Sequence, residues 1–227
     1  MLKECFNWWS NPDGFLRRLA GGVSDRMRNE RFKAFVRSVG PGCEDRVLDV
    51  GVSGRIGGSV NHFERVYPWP EMLMACGLEG EPEICAQRGI AFVDADGLAL
   101  PFDDGSFDIV YCNAVLEHVG AQARQAQLIS ELLRVGRRVF VATPDRDCPL
   151  ESHTLIPFAH WLPPKICAAI YRLAGRGYFA SEENLNLVDA GGLRRLFPVR
   201  LRGRTVIRRQ YLAGMPAVLT AFAGTNE

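Results

Sequence analysis

Apolar residues in this chain fall into two rhythms: short solid runs, and longer stretches in which they return every three or four positions. Solid runs with apolar residues on both faces mark strands buried inside a parallel sheet. Successive runs of this kind are Val47–Val50, Met72–Leu78, Ile90–Val93, Ile109–Asn113 and Val139–Thr143, the last stopped by Pro144. Helical spacing separates them. Val60–Tyr67 predicts a short helix closed by Pro68 and Pro70, and Gln122–Leu133 a longer one carrying Leu128, Leu132 and Leu133. Leu100–Asp108 is a turn by its Pro and Asp-Gly content, and Ala114–Val119 leaves the period of two for helical spacing. Strands alternating with helices predict an α/β fold around a doubly wound, Rossmann-like sheet.

The two ends of the chain have another texture. Residues 1–42 predict a helical cover. Trp8, Trp9, Phe15, Leu16 and Leu19 share one face, broken at Asn11-Pro12-Asp13-Gly14; a second helix, Ser24–Val39, puts Met27, Phe32, Phe35 and Val36 on one stripe and its arginines on the other. Gly40-Pro41-Gly42 ends it. This cover either shields the sheet or acts as a lid, with Trp8 and Trp9 close to a ligand. Near the other end, Arg194–Arg209 holds seven arginines and no acid. Arg200, Arg202 and Arg204 alternate, which predicts one solvated strand face, with a surface for an anionic substrate or nucleic acid as the alternative.

Composition narrows the class. The 227 residues suit one α/β domain with a full core, and a formal charge of +1 offers no general attraction to nucleic acid or anionic membrane. The seven cysteines are scattered, without a C-x-x-C pair, and read as reduced residues, most of them in the core. MLKECFNWW carries charges where a signal peptide is apolar, and no run reaches membrane-spanning length, so a cytoplasmic location is expected.

The first strand opens into a loop, Gly51-Val52-Ser53-Gly54-Arg55, followed by Gly57-Gly58. Absent side chains let backbone N–H groups approach a nucleotide, and an acid at the end of the next strand, here Glu79, accepts ribose hydroxyls. With these residues in view, LDVGVSG, then LE, then DADGLALPFDDGSFDIVYCNAVLEHV, then LLRVGRRVFVATPDR resembles the class I S-adenosylmethionine-dependent methyltransferases, over residues 45–146. The resemblance implies S-adenosyl-L-methionine as cofactor and a seven-stranded sheet, mostly parallel, ending in an antiparallel hairpin. Pro198–Arg208 and Pro216–Ala223 are the candidate hairpin strands. It further implies that Asp49 and Gly51 shape the turn under the methionine part, Glu79 holds the ribose, Asp96 and Gly97 read the adenine edge, and Asn113 and Ala114 line the pocket beside the sulfonium.

The turn departs from that family's G-x-G-x-G pattern. Ser53 and Arg55 stand where glycines are expected, and a Cβ there narrows the approach to a ligand. Arg55 has two readings, a partner for the cofactor's carboxylate or an exposed loop residue. Residues 147–190 form an acceptor-side insertion containing ESHT, PFAHWLPP and SEENLNL, polar and aromatic groups in proline-punctuated loop. Of the four histidines, His118 just past the fourth strand is the favoured base or substrate contact, with His153 next; His160 reads as structural and His62 as surface. No metal set is expected, since Glu151, His153 and His160 match no strong zinc spacing. The predicted activity is methyl transfer to a small-molecule metabolite. Its rivals are transfer or cyclisation of the aminocarboxypropyl chain, releasing methylthioadenosine, and a non-catalytic module on the same fold.

Overall fold

The computed structural model of the chain describes residues 15–54 and 61–224, with side chains from residue 25 onward. Trp8, Trp9, Arg55, Gly57 and Gly58 lie outside the described residues, as do the side chains of Phe15, Leu16 and Leu19. Among the described residues, seven strands form one sheet: β1 (Val47–Val50), β2 (Leu73–Gly77), β3 (Ala91–Asp94), β4 (Phe107–Asn113), β5 (Gly136–Pro144), β6 (Val206–Leu212) and β7 (Met215–Gly224). Their order is β3-β2-β1-β4-β5-β7-β6. The first five run parallel, and β7 lies antiparallel to both β5 and β6. Parallel neighbours need crossovers, supplied by α2 (His62–Val66), α3 (Glu83–Arg88) and α4 (Gln122–Val135). After β3 the chain returns to the middle of the sheet, so the order reverses between β1 and β4. Open α/β sheets bind ligands outside the carboxyl ends of their strands at such a point.

Side-chain alternation assigns each strand two faces. Leu48, Val50, Val110, Cys112, Val139 and Val141 pack with Leu128, Ile129 and Leu132 of α4. Val47, Ile109, Tyr111, Phe140 and Ala142 pack with Phe35 and Val39 of α1 (Phe15–Val39) and Phe63 of α2. A period of two therefore turns Asp49 and Asn113 towards the α1 side. Aromatic rings fill this layer: Phe63 stacks on Tyr111 with centroids 4.0 Å apart, and Phe35 meets Phe63, Tyr111 and Phe140 edge-on at 5.2–5.6 Å. The Leu100–Asp108 turn is clamped by Arg134 at the end of α4, which donates to the Leu100 and Phe102 carbonyls and pairs with Glu131 and Asp104.

Several expectations need correction. The region Ser24–Val39 is part of a single helix beginning at Phe15, and its inward stripe is not the one read from apolar residues alone. Val36 is exposed, Val39 is buried, and Arg28 and Arg31 sit on the same side as Phe32 and Phe35, at helical spacings of three and four. At the other end, Val199–Arg202 is a short helix, α7, so Arg200 and Arg202 are helical, Arg204 lies in the turn after it, and no strand face carries the three. The hairpin strand starts only at Val206, and its loop, Ala213-Gly214, has φ of 50° and 81° at its two residues, as a type I′ turn requires. Arg194 and Arg202 spend their guanidinium groups on backbone carbonyls of this region. Of the cysteines, only Cys76, Cys85 and Cys112 are buried; Cys43 is exposed, Cys148 and Cys167 are half-buried, and Cys5 lies outside the described residues. No described helix is long and apolar enough to cross a membrane.

The loop after β1 runs unusually close to the end of β2. A Cβ on Gly54 would overlap the Glu79 carbonyl oxygen, and one on Gly77 the Val52 carbonyl oxygen. Gly51 combines a φ of +97° with a Val115 methyl where its Cβ would stand. Beneath this loop two buried carboxyls, Asp49 and Glu64, share a hydrogen bond. Burial, reinforced by the charge and hydrogen bond of Glu64, pushes Asp49 well above the usual carboxylate range. Burial likewise raises Glu64 to about 7.

Two outcomes are expected. Gly54→Ala should lower stability by about 1–3 kcal/mol, because the obstacle is backbone rather than a flexible side chain; denaturant melts at constant pH measure this. The folded chain also keeps protons that the unfolded chain has lost, so the pair stabilises fully only below the ordinary values of 3.8 for Asp49 and 4.5 for Glu64, and its contribution falls as pH rises towards about 7, where Glu64 ionises in the folded state. Relative to Glu64→Gln, the parent should therefore lose stability across that window, read as a growing difference between their urea midpoints.

Candidate functional site

The carboxyl ends of β1, β2, β4 and the start of the β3–β4 connection frame one cleft with two lobes. The smaller, about 220 Å³, lies between the sheet and α1–α2 and is lined by Arg28, Arg31, Asp49, Asn61, His62, Glu64, Tyr111 and Asn113. The larger, about 470 Å³, is lined by Gly77, Leu78, Glu79, Asp96, Gly97, Val119, His118, His153, Tyr178 and Phe179. Gly51, Val52, Ser53 and Ala114 border both lobes and form the sill between them. Every described cofactor residue expected from the sequence, Asp49, Gly51, Ser53, Glu79, Asp96, Gly97, Asn113 and Ala114, lines this cleft.

The smaller lobe is an electrostatic pocket. Arg31 donates through Nη1 to Asn113 Oδ1 at 2.6 Å, while its Nε is buried with no hydrogen-bond partner among the described residues. No described acid forms a salt bridge with it, and burial lowers its pKa despite the pull of Tyr111 and Glu117. Arg28 is lowered first by burial and then by the Arg31 charge. Two guanidinium groups crowded into a cleft attract an anion, and a planar carboxylate matches their fork geometry. Sequence reading missed both. The signal was available in their spacing from Phe35, seven and four residues ahead of it on the helix, but arginines were assigned to solvent by type. His62, expected at the surface, is half-buried in this lobe, with Nε2 unpartnered among the described residues.

The sill explains the non-glycine turn. Asn61, itself at φ 56°, accepts from the Ser53 N–H at 3.1 Å and donates to the Ser53 carbonyl at 2.7 Å, and Ser53 Oγ donates to Glu79 Oε2 at 2.5 Å. Ser53 thus ties the loop to the acid at the end of β2. The tight position is Gly54, one residue later. Opposite, Ala114 sits at φ 57° with its N–H held by the Ala142 carbonyl at 2.9 Å. A non-glycine residue in the left-handed region is a strained feature of the kind that gathers at functional sites. Asp96 accepts from the Leu98 N–H at 2.9 Å, which fixes the turn presenting its carboxylate, and a Cβ on Gly97 would press on Leu128 and Val50 at 3.0 and 3.1 Å.

At the far end of the larger lobe, His118 and His153 meet. Their Nε2 atoms are 3.1 Å apart with the rings nearly perpendicular. His118 belongs to a short 3₁₀ turn, Leu116–His118, and its Nδ1 reaches the Asn184 carbonyl at 2.7 Å. His153 Nδ1 reaches Glu151 Oε1 at 2.7 Å. Burial alone would raise the Glu151 carboxyl, but the His153 ring and the His153 and Thr154 backbone N–H groups outweigh it and hold it near 2. Burial would lower His153, yet the neighbouring Glu151 and Glu117 raise it on balance. Glu117, fully buried, accepts from Thr143 Oγ1 at 2.9 Å. Sequence reading passed over Glu117, whose part emerges only when the turn after β4 folds back.

The other segments singled out by sequence are braces. Asn186 donates its backbone N–H to the Glu117 carbonyl and its side chain to the Gly120 carbonyl, and the buried Gln125 amide joins the Leu116 and Asn186 carbonyls. ENLNL is thereby fastened along LEHV. His160 Nε2 and Trp161 Nε1 both donate to the Arg146 carbonyl, so His160 does not converge with Glu151 and His153.

Residues 48–139 match the methyltransferase domain family. The chain is 32% identical over 130 residues to demethylmenaquinone methyltransferase of Roseiflexus castenholzii (strain DSM 13941 / HLO8), covering 54% of this chain and 50% of that protein. It is 30% identical over 187 residues to the chloroplastic tocopherol O-methyltransferase of Arabidopsis thaliana, covering 76% of this chain and 47% of that protein. The chain spans about half the length of these curated relatives. Its fold is similar to that of the N-methyltransferase NodS from Bradyrhizobium japonicum WM9 in complex with S-adenosyl-L-homocysteine, with a TM-score of 0.56, 14% identity, and coverage of 99% of this chain and 98% of that one. The domain match runs from β1 into β5, across the strands whose ends build the cleft, and the sheet around it has the fold of that solved methyltransferase.

Proposed function

We propose that this chain transfers the methyl group of S-adenosyl-L-methionine to a small-molecule metabolite. The observation that carries the reading is the charge pattern of the two-lobed cleft. The smaller lobe offers Arg28 and Arg31 to a carboxylate and Asp49 with Glu64 to an ammonium, the two charges of an amino-acid head. The larger lobe offers Glu79 to a ribose and Asp96 with Gly97 to an adenine edge. The sill between them, at Gly51, Ser53 and Ala114, is where a sulfonium joining these parts would rest. The task that one of the two readings gave to Arg55, pairing with the cofactor's carboxylate, falls to Arg31 here.

A sulfonium methyl is already activated, and its leaving group is a neutral thioether. Holding nucleophile, carbon and sulfur in line is then the main contribution, and such alignment accounts for about 7–11 kcal/mol of barrier in well-oriented systems. Residues 147–190 supply the acceptor side, closing the larger lobe with His153, Tyr178 and Phe179, and His118 and His153 form the end that meets the acceptor's reacting atom. The chain works as a single domain in this reading, with 1–42 as cover and 45–146 as cofactor core.

Incubation with S-adenosylmethionine and host extract should yield S-adenosylhomocysteine, identified by mass spectrometry. Methylthioadenosine instead would replace the methyl reading by aminocarboxypropyl chemistry. Arg31→Ala should weaken cofactor binding about 10–100-fold in calorimetry, the worth of one or two charged hydrogen bonds, and Glu79→Ala should weaken it as well. His118→Ala should leave cofactor affinity within about twofold while cutting turnover at least tenfold, as loss of a group that acts on the acceptor requires.

A further inference from the structure

Two imidazoles whose nitrogens face each other need something between them. His118 Nδ1 touches a backbone carbonyl, which only accepts, so that nitrogen carries its hydrogen. His153 Nδ1 touches Glu151, which as a carboxylate also only accepts. In neutral rings both Nε2 atoms are then bare lone pairs, 3.1 Å apart. A third bare donor joins them. Glu117 Oε1 is buried with no hydrogen-bond partner among the described residues, 3.9 Å from His118 Nε2 and 4.0 Å from His153 Nε2, while its sister oxygen is held by Thr143. The point equidistant from these three atoms lies about 2.2 Å from each, against about 2.0–2.2 Å for zinc bound to imidazole nitrogen or carboxylate oxygen.

We propose that Glu117, His118 and His153 bind a divalent first-row transition-metal ion of the zinc type, with coordination positions left open towards the larger lobe. Two imidazoles disfavour magnesium and calcium, which prefer all-oxygen shells. The outer partners are already those of a metal site: each histidine hands its other N–H to an oxygen, one carbonyl and one carboxylate, and Thr143 orients the glutamate. A shared proton between the rings relieves their repulsion but leaves Glu117 Oε1 without a hydrogen bond, whereas a cation satisfies all three donors. The expectation of no metal, drawn from Glu151, His153 and His160, used the wrong trio, because Glu151 stands behind His153 and His160 points elsewhere.

The chemical consequence rests on the methyl-transfer reading. A metal at this place favours an acceptor that ligates through oxygen, a hydroxyl above all. The bound hydroxyl gives its proton to solvent, its oxygen lone pair forms the new bond to the methyl carbon, and the carbon–sulfur pair leaves with sulfur. The products are a methyl ether, the neutral thioether nucleoside and one released proton.

The test is titration of the chelator-treated full chain with Co²⁺, followed by its visible d–d absorption, with S-adenosylmethionine binding measured on the same sample. One equivalent bound, displaced by Zn²⁺, is expected. Glu117→Gln and His118→Ala should each weaken Co²⁺ at least about 100-fold, and Glu151→Gln about 10–100-fold, as for other partners behind a metal ligand. Circular dichroism shows whether each variant is folded. No Co²⁺ uptake by a parent chain that still binds S-adenosylmethionine overturns the metal site and leaves methyl transfer standing; so does uptake that survives both Glu117→Gln and His118→Ala. Uptake by a chain that fails to bind S-adenosylmethionine supports the site and removes the methyl-transfer reading instead.

Discussion

Backbone meets backbone at the carboxyl ends of β1 and β2, and there is no room for a side-chain carbon at Gly51, Gly54 or Gly77. The cleft follows from this contact. Because the loop after β1 presses onto the exit of β2, the Glu79 carboxylate is brought within reach of Ser53 Oγ, and the sill that divides the two lobes stands at a fixed height. Asn61 holds the loop through both polar groups of Ser53, replacing by side-chain hydrogen bonds the conformational restraint that a run of glycines lacks. A serine at that position is therefore compatible with a nucleotide-type turn, since its Cβ faces the acid and the close approach has moved to Gly54.

Alternation along the strands turns this contact into electrostatics. On β1 and β4 the residues facing α1 are Val47, Asp49, Ile109, Tyr111 and Asn113, so apolar packing at the bottom of the strands gives way to polar groups at their tips. The helix that covers them repeats the gradient, Val39 and Phe35 low, Arg31 and Arg28 high. A buried guanidinium is costly to keep without a counter-charge. Here burial depresses both arginines while it raises the two carboxyls beside them, so each group is pushed towards its uncharged form in a poorly solvated space, with Asp25 3.5 Å from Arg28. In the proposed reading, a zwitterionic amino-acid head brings the opposite charges that would hold these groups ionised.

Much of this was legible in the sequence because strands and their ends are local signals. The solid runs located β1 to β5 within a few residues, and the family resemblance laid over their ends named Asp49, Glu79, Asp96 and Asn113. The hairpin was placed less well: Pro198 began the expected strand, but four residues there coil into α7 before pairing starts. Residue type misled at α1, where arginines were sent to solvent although their spacing from Phe35 put them on its inward side. What no local pattern contained was the meeting of His118 with His153, separated by 35 positions, and the choice of Glu117 rather than Glu151 as the acid between them. That convergence depends on where a proline-punctuated segment without periodicity comes to rest.

How that segment is held bears on how the molecule divides its labour. Asp49, Glu79 and Asn113 stand on or just past strands packed on both faces, whereas His153 is brought to Glu117 by a stretch fastened largely through hydrogen bonds: the Asn186 amide donates to the Gly120 carbonyl, Gln125 to the Leu116 and Asn186 carbonyls, His118 to the Asn184 carbonyl, and Trp161 and His160 to the Arg146 carbonyl. Its helix α5 (Pro164–Leu173) leaves Ile166 and Leu173 in solvent. Hydrogen bonds of this kind contribute about 0.5–1.5 kcal/mol each, far less than the burial beneath the strands. Opening of residues 147–190 therefore separates His153 from His118 without disturbing Asp49, Glu79 or Asp96. A cation between the two histidines would add a tie stronger than any of these hydrogen bonds, and would make the resting place of residues 147–190 depend on the three atoms proposed to hold it.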